Sequence, residues 1–402
     1  MHYGLFSLSK NHMLYYSPMN YDHSSLRLHK KYQGKLRISS LVSIKNKKDL
    51  SLAYTPGVAA VSKEISKKKE LASILTLKGR TVAVISDGSA VLGLGNLGPE
   101  AALPVMEGKA VLFKEFAGVD AFPIVLATQN TDEIVAAIKA IAPTFGGINL
   151  EDIAAPRCFE IEQRLIKELN IPVFHDDQHG TAIVVLAALT NALKIVKKQL
   201  SSVRIVINGA GAAATAIAYL LIDAGAKGEN IIVVDSQDTL FRGRPKMNDE
   251  KKLLAAVTNP RLIHGGLATA LFNADVFIGT SVANVLKPEW VATMADKPIV
   301  FAMANPNPEI DPKLVKKTKI AVFGTGRSDL PNQINNVLAF PGVFRGTLQA
   351  GAQQITTKMK LAAANAIARS VSSAAIKHGS IVPNPFDRHV HLAVARAVER
   401  AA

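Results

Sequence analysis

The sequence predicts an α/β fold made of an N-terminal α/β unit and a second, doubly wound unit. Three observations support it. Short apolar runs recur along the chain, helical stretches separate most of them, and glycine-rich turns follow two of them. Continuous apolar runs suit strands buried on both faces of a parallel sheet. Their alternation with helices is the pattern of layered α/β domains.

In chain order, Val82–Ile85 is the first expected strand, closed by the turn Ser86–Asp87–Gly88. A glycine-rich loop from Gly93 follows. Pro99 then opens a helix to about Phe116, because proline suits the first helical position. Ile124–Ala127 reads as a strand, and Thr131–Asp132 caps a helix through Ile141. Ile148–Leu150 and Val173–His175 read as strands, each followed by two acids, and Thr181–Val196 as a helix. The second unit opens with strand Arg204–Asn208, helix Gly211–Ala224 and strand Ile231–Asp235. Val276–Thr280, Ile299–Ala304 and Ala321–Phe323 are further strands, and alanine-rich helices fill 345–400. The expected division is an extension of unknown order at 1–18, a first domain at 19–180, a second at 181–360, and terminal helices at 361–402 that pack back on the first.

Composition narrows the class. Of 402 residues, 48% are apolar and 20% charged, which excludes a largely disordered chain. One cysteine, Cys158, excludes an intramolecular disulfide and suits a reducing compartment. No run of about 18 uncharged apolar residues predicts a membrane span. Met1–Lys10 lacks the pattern of a cleaved secretory signal, so a cytoplasmic enzyme is expected. The net charge is +15, of which +11 lies in residues 1–80. Basic residues there alternate with apolar ones, as in Leu26–Arg27–Leu28, and read as a solvated face rather than a nucleic-acid surface.

Four constellations bear chemistry. Gly209–Ala210–Gly211–Ala212–Ala213–Ala214 follows a strand and opens a helix, the G-x-G-x-x-A dinucleotide fingerprint of a Rossmann-type domain. Asp235 ends the next strand, where an acid accepts hydrogen bonds from an adenosine ribose. Asp235 favours NAD over NADP only mildly, because Arg242 and Arg244 follow closely in the sequence as candidates to meet a 2′-phosphate, so both NAD and NADP stay open. The second constellation is the acidic pairs Glu151–Asp152 and Asp176–Asp177. Four carboxylates at neighbouring strand ends suit Mg²⁺ or Mn²⁺, although helix capping explains any single acid. His175 and His179 sit four apart, but Asp176 stands where a zinc protease needs Glu, so structural histidines are expected. Third, Lys109 has small or apolar neighbours, so burial is expected to lower its pKa toward a usable base, and the phenol of Tyr54 can deliver a proton. Fourth, Asn305 and the pair Asn335–Asn336 supply amides after late strands, as ligand contacts or as ordinary turn formers.

Together the segments Ser51–Val58, Ser86–Gly98, Val105–Ala110, Asn149–Ile153, Phe174–Thr181 and Asn335–Gly342 resemble the malic enzymes, in particular the compact bacterial type, over about residues 19–395. The resemblance implies oxidative decarboxylation of L-malate to pyruvate and CO₂ with NAD⁺ or NADP⁺ and Mg²⁺ or Mn²⁺. Decarboxylation of oxaloacetate is a second implied activity. Residue by residue, it implies that Glu151, Asp152 and Asp177 hold the cation, with Asp176 beside them on a metal-bound water or on Lys109. Lys109 becomes the general base for the C2 hydroxyl, Tyr54 the general acid for C3, and Asn305 and Asn336 contacts to malate and nicotinamide. A homodimer is also implied, with no nucleic-acid or membrane partner. Two departures stand out. Larger members carry an arginine near Ser89–Ala90, and Asp235 is followed here by Ser236–Gln237–Asp238 rather than Ser-Lys-Gly. The nearest alternative is a 2-hydroxy acid dehydrogenase that releases no CO₂. The alternative of another class is a nucleic-acid-binding protein, which salt-dependent binding of labelled DNA or RNA would reveal.

Overall fold

The computed structural model describes residues 21–402 in two units. The expected extension at 1–18 lies outside the described residues. In the first unit, the helix Tyr21–Tyr32 buries none of its side chains. The second unit starts at Ser39 and holds both sheets.

The first sheet contains β1 (Thr81–Ser86), β2 (Asp120–Val125), β3 (Gly147–Leu150) and β4 (Val173–His175), in the order β2-β1-β3-β4 and wholly parallel. Alternate residues of β1 serve two cores. Val82 and Val84 face the helix Pro99–Ala117 side, while Ala83 and Ile85 pack with Ile134, Ile138 and Leu165 on the other. The strand is therefore apolar throughout.

The second sheet contains β5 (Ile205–Asn208), β6 (Ile231–Val234), β7 (Val276–Gly279), β8 (Ile299–Ala302) and β9 (Val322–Thr325), in the order β6-β5-β7-β8-β9, again parallel. Both sheets reverse direction of growth beside their first strand, between β1 and β3 and between β5 and β7. Ligand crevices open at such switch points, outside the C-terminal strand ends.

The helix Asp176–Val196 carries the chain from one sheet to the other. By length and composition it would cross a membrane, but it is mostly buried inside the protein. Phe113, Phe174, Phe340 and Phe344 pack edge to face around it, with ring centroids 4.8–5.7 Å apart. The helix Arg388–Ala401 packs on Phe340–Gln349 and on Pro99–Ala117.

Three of the differences from expectation have a clear physical reason. β2 spans Asp120–Val125 rather than Ile124–Ala127, and it includes Pro123. An edge strand tolerates a missing amide donor. The helix after β4 begins at Asp176, five residues before Thr181, so both acids lie in its first turn. The cap of the helix Thr131–Ile141 is Asn130, whose side chain accepts from the amides of Asp132 and Glu133.

Candidate active site

The register aligns three strand ends. Ile85 pairs with Leu150, and Leu150 with His175, so Ser86, Glu151 and Asp176 stand in line at the C-terminal end of the sheet, with Asp87 one residue beyond. One residue further, Asp152 adopts a left-handed φ of 54°, which turns the chain back over this edge. Its amide donates to Asp177 Oδ2 at 2.8 Å. Glu151, Asp152 and Asp177 thereby offer ligand oxygens within 4.8 Å of one another.

Lys109 reaches this cluster from the helix Pro99–Ala117. Its Nζ lies 2.5 Å from Asp176 Oδ2, 2.8 Å from Glu151 Oε1 and 4.2 Å from the centre of the Phe340 ring. Asn149 Nδ2 donates to Glu151 Oε2 at 3.0 Å. Gly180 allows Asp176 its place: a Cβ there would stand 1.7 Å from Asp176 Oδ1 and 3.3 Å from the Asn336 Cβ.

The electrostatics corrects one expectation. Burial works to lower the Lys109 pKa, but Asp176 and Glu151 outweigh it and raise it above the usual lysine value. Lys109 is thus a firm cation while it keeps both anions. The carboxylates behave oppositely. Burial, then repulsion from Asp177 and Glu151, pushes Asp152 up to about 8. Glu151 and Asp177 are raised too, burial being the largest cause. Asp152 Oδ2 is buried without a hydrogen-bond partner. Three raised carboxylates around an unpaired oxygen fit a hard divalent cation.

The second sheet presents the dinucleotide turn. Gly209 has a φ of 119°, and a Cβ there would lie 2.6 Å from Thr280 Oγ1, so only glycine fits. Gly211 caps the helix Ala212–Asp223 without any side-chain bond, which leaves the first amides, at Ala212 and Ala213, for a phosphate. Ala210 completes the turn. A buried carboxylate, Glu309, accepts from the amides of Ser281 and Ala304 at 3.1 and 3.0 Å and so ties the ends of β7 and β8. Asn305 follows, 3.2 Å from where a Cβ on Gly326 would sit. Asn335 is used as a cap, its Oδ1 accepting from the Val337 amide at 2.9 Å.

The residues expected from the sequence thus divide. Lys109, Glu151, Asp152, Asp176 and Asp177 come together, with Asn336 at their edge. Asn305 and Gly209–Ala213 line the ends of the second sheet. Tyr54 is 68% exposed, and no hydrogen bond among the described residues ties it to Lys109. Asp235 is fully engaged: Arg244 donates to both its oxygens at 2.8 and 2.5 Å, and Lys251 to Oδ2 at 2.7 Å. Arg244 therefore pairs with the acid instead of standing free. Glu162 escaped notice in the sequence, although it lies four residues from Cys158 and three from Leu165 on an apolar stripe. His179 contacts Glu162 and Lys360, a structural role, while His175 is buried with neither ring nitrogen bonded.

A carboxylate cluster whose geometry suits a divalent cation on one sheet, and a dinucleotide turn on the other, fit the class of metal-assisted, nicotinamide-dependent oxidoreductases. Residues 33–133 and 127–166 match the family model for the malic enzyme N-terminal domain, and residues 178–402 that for the malic enzyme NAD-binding domain. The chain belongs to the malic enzyme family. It is 56% identical to the bifunctional malic/malolactic enzyme of Bacillus subtilis over 96% of this chain and 93% of that one. It is 55% identical to the NAD-dependent malic enzyme of Geobacillus stearothermophilus, over 92% and 77%. The crystal structure of the Thermotoga maritima NAD-dependent malic enzyme superposes with a TM-score of 0.90 at 49% identity, over 94% and 99%. The reaction is the oxidative decarboxylation of malate with NAD⁺ or NADP⁺, as in relatives of both cofactor types, and it depends on a divalent metal.

Proposed function

We propose that Lys109 is the proton-transferring residue of this reaction and that Glu151, Asp152 and Asp177 hold the metal. The observation that carries this is Lys109 clamped between Asp176 and Glu151 beside a three-carboxylate cluster. A divalent cation bound there supplies Lewis-acid polarisation of the substrate oxygens. NAD⁺ or NADP⁺, held by the glycine-rich turn, would be the hydride acceptor.

The residues of the chain do the rest. Were Glu151 to serve as a metal ligand, its charge would be shared with the cation and Asp176 would be the main anionic partner left to Lys109. That would weaken the hold on the ammonium and suit Lys109 to exchange a proton with the malate C2 hydroxyl. Asp176 holds the amine in place throughout. Phe340 covers the amine and excludes water from one side. Among the described residues no hydrogen bond engages the side-chain amides of Asn336 and Asn305, which suits them to a carboxylate and to the nicotinamide amide. Gly209–Ala213 cradles the pyrophosphate.

Tyr54 is the proposed acid for C3, and its exposure ties that role to a homodimer. It stands among Leu50, Leu52, Val58 and Val61, all of them more than a third exposed, a face that a second copy would cover. Cytoplasmic location and decarboxylation of oxaloacetate belong to the same proposal.

The test is reduced-nucleotide formation from L-malate with Mn²⁺ in parallel with NAD⁺ and NADP⁺, followed by pyruvate and CO₂ assays. Lys109→Ala is expected to lower turnover by about 10²–10⁴. Turnover near wild type would remove Lys109 from the role. Mixing Lys109→Ala with Tyr54→Phe protein locates the acid: recovered turnover places the two groups in different copies, and no recovery keeps them in one.

A further inference from the structure

We propose that Glu162 is a positioning residue for the metal centre: it holds the first turn of the helix Asp176–Val196, and through that turn sets where Asp176 and Asp177 stand. The inference rests on the assignment of Glu151, Asp152 and Asp177 as metal ligands.

That turn carries two working carboxylates and has no cap of its own. The N-cap residue, His175, makes no side-chain cap bond. Asp176 Oδ2 is engaged with Lys109, and Asp177 Oδ2 with the amide of Asp152. Glu162 supplies the missing cap from another helix, Arg157–Glu168. Its Oε1 accepts from the backbone N–H of His175 at 2.7 Å. Its Oε2 accepts from Gln178 Nε2 at 3.1 Å and lies 3.0 Å from His179 Nε2. These three contacts bracket Asp176 and Asp177 in the chain. With residues 175, 178 and 179 held, the two between them cannot roll or unwind. A carboxylate at this end also meets the positive pole of the helix.

A second link fixes the polarity of the brace. His179 Nδ1 lies 3.0 Å from the Nζ of Lys360, on the helix Thr357–Arg369. An ammonium only donates, so Nδ1 accepts, and the ring proton sits on Nε2, facing Glu162. Burial works to raise the Glu162 pKa, but His179, His175 and Lys360 outweigh it and hold it at about 2. Glu162 is only 4% exposed, on the face that also buries Cys158 and Leu165. A carboxylate there is tolerated only with its hydrogen bonds made. The brace thus joins three helices at the one turn that the chemistry uses.

The experiment strips the full-length protein of metal and titrates Mn²⁺ by calorimetry, with the Tm of each variant measured alongside. Glu162→Gln keeps the volume and the bond to His175 N–H but turns an amide N–H toward Gln178 and His179. The expected result is Mn²⁺ binding weaker by about 10–100-fold, the usual effect of removing a partner behind a metal ligand, with kcat lowered and the KM for the nucleotide unchanged. Glu162→Asp is expected to recover part of the loss. Mn²⁺ affinity within about twofold of wild type, with only Tm lowered, would overturn the proposal. Should Glu162→Gln not fold, Gln178→Leu removes one donor at the same carboxylate: severalfold weaker binding supports the brace, and unchanged binding overturns it. Asp177→Asn is titrated in parallel. If that change leaves Mn²⁺ binding intact, the ligand assignment itself fails, whereas a loss there with intact binding in the Glu162 variants rejects the brace alone.

Discussion

Asp235 illustrates how its neighbours decide what a residue can do. It ends β6 where a ribose would be met, but Arg244 and Lys251, together with the amides of Gln237 and Asp238, occupy both oxygens. Burial works against its charge, yet Arg244 and Lys251 hold its pKa below the usual carboxylate range. The paired acid exerts little repulsion on a 2′-phosphate. Arg244→Leu is expected to raise the KM for NADP⁺ at least about tenfold more than that for NAD⁺, a difference of about 1.4 kcal/mol. Equal changes for the two nucleotides would show that Asp235 lies clear of the 2′ position. Asp152 makes a prediction of opposite electrostatic sign. Its folded pKa is about 8 against 3.8 for an unperturbed aspartate. The metal-free protein therefore loses stability as pH rises from about 4 to about 8, because the unfolded chain gives up that proton first. Mg²⁺ relieves the penalty, so its increment in Tm should be larger at pH 8 than at pH 5. An increment independent of pH would contradict this. Gly180→Ala is expected to push Asp176 off Lys109, lowering turnover at least about tenfold at a stability cost of about 1–3 kcal/mol, read from kcat and from denaturant unfolding.

At the scale of elements, most strands and the two glycine-rich turns were legible because their signals are local. Four-residue apolar runs mark strands of a covered parallel sheet, and Pro99 marks its helix start wherever the chain goes next. The misjudged elements depend on distant neighbours. β2 accepts Pro123 only because it lies at the sheet edge, and edge membership is decided by strand order. The helix Asp176–Val196 begins five residues early because Glu162, on another helix, caps it. The aromatic packing under this helix is a further tertiary feature. Phe344→Ala, which empties contacts to Phe113 and Phe174, is expected to cost about 3–5 kcal/mol in urea unfolding with the m-value unchanged.

At the scale of the whole molecule, the residue-39-to-80 region gathers many of the exposed apolar side chains of the described residues. The helices Lys47–Ala53 and Val58–Lys67 bury none of their residues. Leu52, Tyr54 and Ile74 are each more than two-thirds exposed. Light scattering is expected to give twice 42.9 kDa. Leu52→Asp combined with Val61→Asp should shift the protein toward the monomer and lower turnover together. A monomer for the unaltered protein, with full activity, would refute both the dimer and the role given to it.

The sequence by itself determined the layered α/β architecture, the dinucleotide turn and the identity of the clustered acids, because each is written in neighbouring residues or in a chain of ordered motifs. It did not determine charge states. Lys109 reads as an apolar-flanked lysine whose pKa should fall, and only the fold brings Asp176, 67 residues away, to within 2.5 Å and reverses the sign. Asp235 and Arg244 are nine residues apart and were both visible, but their pairing depends on how the chain turns after β6. Glu162 read as one charge on an amphipathic helix until the structure turned it inward, onto the turn that carries Asp176 and Asp177. Local propensity and burial pattern act over a few residues, whereas pKa, pairing and metal geometry are set by distances of a few ångströms between segments far apart in the chain. Only the tertiary structure supplies those distances.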